Sequence, residues 1–124
     1  MQNIIPPYGG DLPMLLVDAY RAQSIRQAAL DYPSIDLDWR QMCDLELLLT
    51  GALNPLTGYL GRADLEAVLS KLELADGRFW PWPTVLAIGA KQAQGLQPGQ
   101  IVALRDAEGF MPAILHVEEV WPAD

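Results

Sequence analysis

Side chains suited to chemistry are few in this sequence, with a single histidine, His116, and a single cysteine, Cys43. A histidine works as a general base only with a nucleophile in reach and a third group to orient its ring. His116 instead stands between Leu115 and Val117, the setting of a half-buried or solvent-facing strand residue. Cys43 lies in Arg40-Gln41-Met42-Cys43-Asp44. A nucleophilic thiol needs positive charge or a helix N-terminus beside it. Arg40 and the start of a helix answer that need and Asp44 opposes it, so a small packed residue is the simpler reading. With one Cys and one His, the usual ligand set for zinc cannot be assembled in one chain. The acidic pairs Asp36/Asp38, Asp44/Glu46 and Glu118/Glu119 could in principle hold a hard cation. None has the spacing of a calcium loop, and solvated faces account for all three. Gly51, Gly58 and Gly61 sit near Asn54-Pro55 and Thr57, without the Lys and Ser or Thr that complete a phosphate-binding loop. No catalytic, cofactor-binding or metal-ligating residue is assigned on these grounds.

The aromatic cluster Phe79, Trp80 and Trp82, with Pro81 and Pro83 between and after, supports two readings. It can be the lead-in to a strand whose large side chains cover a sheet, or a docking surface of the kind that interfaces build from Trp.

Charge narrows the partners. Sixteen acidic and eight basic residues leave a net charge of −8, and the basic residues are scattered singly. Nucleic-acid binding begins with clustered Lys and Arg that displace phosphate counterions, so this partner is not expected. Residues 1–10, MQNIIPPYGG, show no charged leader, and no apolar run approaches the ~20 residues that cross a bilayer. A cytoplasmic protein with no membrane partner is expected.

The elements that must hold these residues read as helices first and a sheet after. Pro6, Pro7, Gly9, Gly10 and Pro13 predict an extended, turning start, and Met14–Val17 a short strand or packed loop. Asp18 offers a cap for an amphipathic helix from Ala19 to Leu30, which Tyr32-Pro33 ends. Asp38 with Gln41 has the form of a capping box for a second helix, with Met42, Leu45, Leu48, Leu49 and Ala52 on one side. A third helix is expected from about Ala63 to Leu72. Beyond Asp76-Gly77, strands are expected at Thr84–Ile88, Ile101–Arg105 and Pro112–Val120, with a hairpin turn at Asp106–Gly109. This is an α+β domain with a small, mostly antiparallel sheet, one domain over residues 1–124.

Two segments carry a family resemblance. Residues 43–60, CDLELLLTGALNPLTGYL, resemble the ATP sulfurylase (sulfate adenylyltransferase) pattern CDLELLxxGAFSPLxGFM, and residues 74–88, LADGRFWPWPTVLAI, resemble its LADGTLWPIPITLDV. Ile5–Gly10 and Ile101–Asp106 with Glu108-Gly109 are similar to the family's opening and to its IALRDxEG strand and turn, in the same order. The departures are Tyr8 for a His, Leu53 and Asn54 for Phe and Ser, and Tyr59-Leu60 for an aromatic–Met pair. The resemblance implies a PUA-like fold, a small barrel-like sheet with packed helices. It also implies that the chain is the non-catalytic amino-terminal domain. The Gln-x-Arg-Asn-Pro and His-x-x-His motifs that hold ATP and sulfate in the family are absent here, so no catalytic residue carries over. The full-length enzyme would use Mg-ATP to make adenylyl sulfate and pyrophosphate, as a homo-oligomer, with or without a fused adenylylsulfate kinase. The isolated chain is expected to be inactive and to dock on the catalytic domain through a face including Pro55, Leu56, Tyr59, Leu60, Trp80 and Trp82. Burial of most of these in the domain's own core would refute that face. The alternative is a stand-alone PUA-like module that binds a protein or RNA partner.

Overall fold

Asp18 opens the first helix as its carboxylate accepts the Arg21 N–H at 2.8 Å. In the computed structural model, which describes residues 6–10 and 15–123, helix α1 spans Ala19–Ala28 and tightens into a 3-10 turn at Ala29–Asp31. Leu30 therefore belongs to the turn, with Pro33 close behind. Of the Met14–Val17 run, Met14 lies outside the described residues and residues 15–17 form no strand. Helix α2, Trp39–Leu49, starts with the capping box that Asp38 and Gln41 predict. Asp38 accepts the Gln41 N–H at 2.8 Å, and the Gln41 side chain accepts the Asp38 N–H at 2.9 Å. Helix α3 spans Arg62–Lys71 and ends on Leu72 in the left-handed region, φ 58°. A single turn, α4 at Ala90–Ala93, precedes the sheet's central strand.

The sheet has three strands in the order β1 (Ser34–Asp36), β2 (Ile101–Arg105) and β3 (Ala113–His116). The hairpin β2–β3 is antiparallel, with Val102 opposite Leu115, and β1 runs parallel to β2, with Ile35 opposite Leu104. The α+β class holds, and the mostly antiparallel sheet is corrected to a mixed one, open among the described residues. The expected strand at Thr84–Ile88 is also corrected, since no ladder forms there. Pro81 and Pro83 have no N–H to donate. The Thr84 and Val85 N–H groups donate to Trp82 and Pro83 carbonyls two residues back. The Ala87 carbonyl accepts the Gln41 side-chain N–H at 2.7 Å, so a helix cap has taken a group that a neighbouring strand would need. The third strand is shorter than the expected Pro112–Val120, because Pro112 cannot donate and regular pairing stops at His116.

Apolar side chains divide around β2. Val102 and Leu104 face one side with Ile35, Leu37, Leu45 and Val117. Ala103 faces the other with Ala29 and Met111, where two small side chains let the 3-10 turn approach the strand. A further cluster joins Leu48, Leu53, Leu56, Leu60, Val68, Leu74 and Trp80 beneath α2 and α3. Leu45 and Leu48, three residues apart, send α2 into both of the larger clusters, and Tyr59 packs against the same two. Each fully buried Leu, Val or Ile contributes about 1.5–3 kcal/mol relative to exposure.

Candidate functional site

The segment after α2 and the segment after α3 meet through their backbones. The Leu60 N–H donates to the Thr84 carbonyl at 2.8 Å, and within the second segment the Trp80 N–H donates to the Leu72 carbonyl at 2.8 Å. The chain start is clamped on the same region. Buried Asn54 donates its side-chain N–H to the Tyr8 carbonyl, and the Tyr8 hydroxyl donates to the Phe79 carbonyl at 2.9 Å. Gly9 has φ +82°, and a Cβ there would stand 2.6 Å from Pro55 Cβ. Only glycine fits so close a crossing. Two positions where the sequence departs from the family pattern, Tyr8 and Asn54, are thus structural ties.

This arrangement separates the six residues expected on a docking face. Leu56, Leu60 and Trp80 belong to the domain's own core, with 8%, 5% and 9% of their surfaces exposed. Their side chains pack inside this domain. The α2–α3 connection folds back over Val68 and Leu74 and covers them without a partner. Tyr59 packs against that core and Pro55 is half-buried. Trp82 is exposed, flanked by exposed Pro81 and Pro83, and Phe79 is exposed on the same segment. Of the aromatic cluster, Trp80 is thus a core residue, and Phe79 and Trp82 are exposed.

Burial also sets the local electrostatics. Desolvation, with the Asp44 carboxylate adding repulsion, pushes the Tyr59 phenol up to about 12. The Tyr59 hydroxyl and the Trp80 indole N–H are buried without hydrogen-bond partners among the described residues. The Arg78 guanidinium, hydrogen-bonded to Asp76, holds that exposed carboxyl below its usual range.

The residues weighed for chemistry have structural places. His116 is exposed at the end of β3, opposite Ile101, and Cys43 is half-buried on α2. Asp38 caps α2, and Glu119 brings a carboxylate oxygen to 3.4 Å from the Arg62 N–H at the start of α3. There it meets the positive end of the helix, and Gly61 has no Cβ to obstruct it. Among the described residues no three His, Cys, Asp or Glu side chains gather into a possible metal site. Sequence reasoning missed one convergence, that of Arg26, Arg105 and Phe110 around a single hollow. No local pattern marks it, because the first arginine belongs to α1 and the second to β2.

Known proteins similar to this chain have one theme. A sulfate adenylyltransferase of Synechococcus sp. (strain JA-3-3Ab) is 38% identical over 98% of the chain, which spans 31% of that protein. A sulfate adenylyltransferase of Mycosarcoma maydis is 40% identical over 95% of the chain and 21% of its own length. A probable bifunctional SAT/APS kinase 2 of Sorangium cellulosum is 32% identical over 97% of the chain, again 21% of that protein. Among solved structures, the hexameric APS kinase from Thiobacillus denitrificans superposes with a TM-score of 0.86 at 45% identity, over 97% of this chain and 24% of the other. The chain thus spans only about a fifth to a third of the relatives it matches. The family described as PUA-like domain matches residues 5–124, nearly the whole sequence, and the mixed sheet flanked by helices is consistent with it. The chain belongs to the PUA-like domain family.

Proposed function

We propose that residues 1–124 form one domain, the non-catalytic amino-terminal domain of a sulfate adenylyltransferase. The parent enzyme would act in the cytoplasm, joining ATP and sulfate into adenylyl sulfate and pyrophosphate with magnesium on the nucleotide. One observation carries this reading. Similarity to sulfate adenylyltransferases extends along 95–98% of the chain, yet accounts for only 21–31% of their lengths. The Sorangium relative and the Thiobacillus structure extend the proposal to a homo-oligomeric parent, with a fused APS kinase as one form of it. The open sheet would be one wall of the small barrel that the family resemblance implies.

The domain's part is to dock on the catalytic domain. That face would include the exposed Trp82 and Phe79 and the half-buried Pro55 and Tyr59, because interfaces draw much of their binding energy from aromatic side chains. The purified 124-residue chain should release no pyrophosphate from ATP and sulfate, and the gene downstream should encode Gln-x-Arg-Asn-Pro and His-x-x-His. Pyrophosphate release by the short chain would overturn the non-catalytic role. A downstream reading frame without those motifs would overturn the parent.

A further inference from the structure

Arg26 of α1 and Arg105 at the end of β2 converge on a hollow of about 210 Å³, together with Leu30, Gly109, Phe110 and Met111. The Arg26 guanidinium lies over the Phe110 ring, 5.7 Å from its centroid, a cation–π distance. Arg105 is tied down by two bonds, Nε–H to Ser34 Oγ at 3.0 Å and Nη1–H to the Gly109 carbonyl at 3.0 Å. A guanidinium has five N–H donors, so three on Arg105 stay uncommitted. Among the described residues neither arginine lies within 4.0 Å of a carboxylate, and the ion pairs present join Arg62 to Glu66 and Arg78 to Asp76. Asp106, adjacent in sequence, already accepts the Glu108 and Phe110 N–H groups at 2.9 Å each.

Among the described residues two guanidinium groups outside any ion pair lie together on a chain of net charge −8, with Asp36 opposite Arg105 in the sheet register. The rim of the hollow is apolar, since Leu30 is 76% exposed and Phe110 55%. An apolar rim contributes nothing to holding a bare inorganic anion, and two guanidinium groups are too few for the clustered phosphate contacts that a nucleic acid needs. A second hollow of about 250 Å³ shares Arg26 and Met111 and continues along Ile25, Leu49 and Ile114, so the apolar floor is longer than one side chain. We propose that this face docks an acidic peptide segment. One Asp or Glu carboxylate would sit between the two guanidinium groups, and the apolar side chains beside it would lie on Phe110, Leu30 and the adjoining floor. Fork-shaped donors matched to a carboxylate, one already immobilised, are the reason for that choice. This site is independent of the proposed parent enzyme.

The test uses the 124-residue chain and a fluorescein-labelled dodecapeptide of alternating Glu and Leu, read by anisotropy at low salt. A Lys/Leu peptide, a single-stranded RNA oligonucleotide and inorganic phosphate serve as comparisons. The Glu/Leu peptide should bind and shift the amide resonances of Arg26, Arg105, Gly109 and Phe110. R26Q should weaken binding about tenfold, the worth of one charge-assisted contact, without changing the melting temperature. K91Q, on α4, should leave binding unchanged. The proposal is overturned if the Glu/Leu peptide does not bind, or if K91Q weakens it as much as R26Q. It is overturned equally if RNA binds in an Arg26-dependent way, or if phosphate alone produces the same resonance shifts.

Discussion

Trp80 and Trp82 lie two residues apart and should behave as different kinds of residue. Trp80 is 9% exposed within the cluster of Leu48, Leu53, Leu56, Leu60, Val68 and Leu74, whereas Trp82 is 43% exposed. Truncating a buried Trp to Ala costs about 3–5 kcal/mol through lost burial and the cavity left behind. Unfolding entropy scales with length and comes to about 0.26 kcal/mol/K for this chain, so W80A should lower Tm by roughly 12–19 °C. Against a typical total stability of about 5–15 kcal/mol, that leaves the domain marginal. W82A removes a side chain that the domain covers only in part, and should cost about 1–2 kcal/mol, well below W80A. W80F separates ring from indole N–H. It shrinks the side chain but removes a buried donor that has no partner among the described residues, which offsets roughly 1–3 kcal/mol of the loss. W80F should therefore lie much nearer wild type than W80A. Thermal melts and urea titrations by far-ultraviolet circular dichroism measure all three. If W82A destabilises as much as W80A, the separation of core from surface in this segment is wrong.

Other expectations concern the devices that set local geometry. D38A removes the acceptor for the Gln41 N–H and should lower stability by about 1 kcal/mol, roughly 4 °C in Tm, while D38N stays close to wild type. D106A leaves the Glu108 and Phe110 N–H groups without their turn acceptor and should cost about 1–3 kcal/mol by urea denaturation, with D106N recovering most of it. Tyr59 makes stability depend on alkaline pH. Its folded phenol holds its proton up to about 12, while an unfolded one loses it near 10. The native state then binds more protons across that window, so this contribution is intact below about pH 10 and fades as pH approaches 12. Y59F should flatten the fall in stability over that window and remove an absorbance rise at 295 nm near pH 12. Any difference between the wild-type and Y59F absorbance titrations below pH 10 would contradict the burial.

Features that depend on near neighbours in the chain were legible. Asp38 and Gln41 are three residues apart and satisfy each other wherever the rest of the chain goes. Asp106 and Gly109 close the hairpin between β2 and β3 by the same kind of short-range bonding, with Gly109 at φ +88°. Strand β1 was not legible. It has three residues after a proline, and its pairing partner is β2, far along the sequence. Residues 84–88 show the opposite error, where strand-like composition met backbone groups already bonded within the segment and to Gln41. The left-handed end of α3 carries Leu72, so no glycine announces it.

On the side of function, the sequence by itself determined the family resemblance, the net acidity and the absence of Gln-x-Arg-Asn-Pro and His-x-x-His from these 124 residues. These are properties of composition and linear order. The division of one aromatic cluster into a core residue, Trp80, and exposed residues, Phe79 and Trp82, was decided only by the tertiary structure. So was the meeting of Arg26 and Arg105 at one hollow in a chain whose cations are scattered singly. Exposure and proximity depend on which segments pack together. In this protein α2 brings the Leu53–Leu60 connection over Trp80, and parallel pairing with β1 lets Ser34 hold Arg105 across 71 residues of chain.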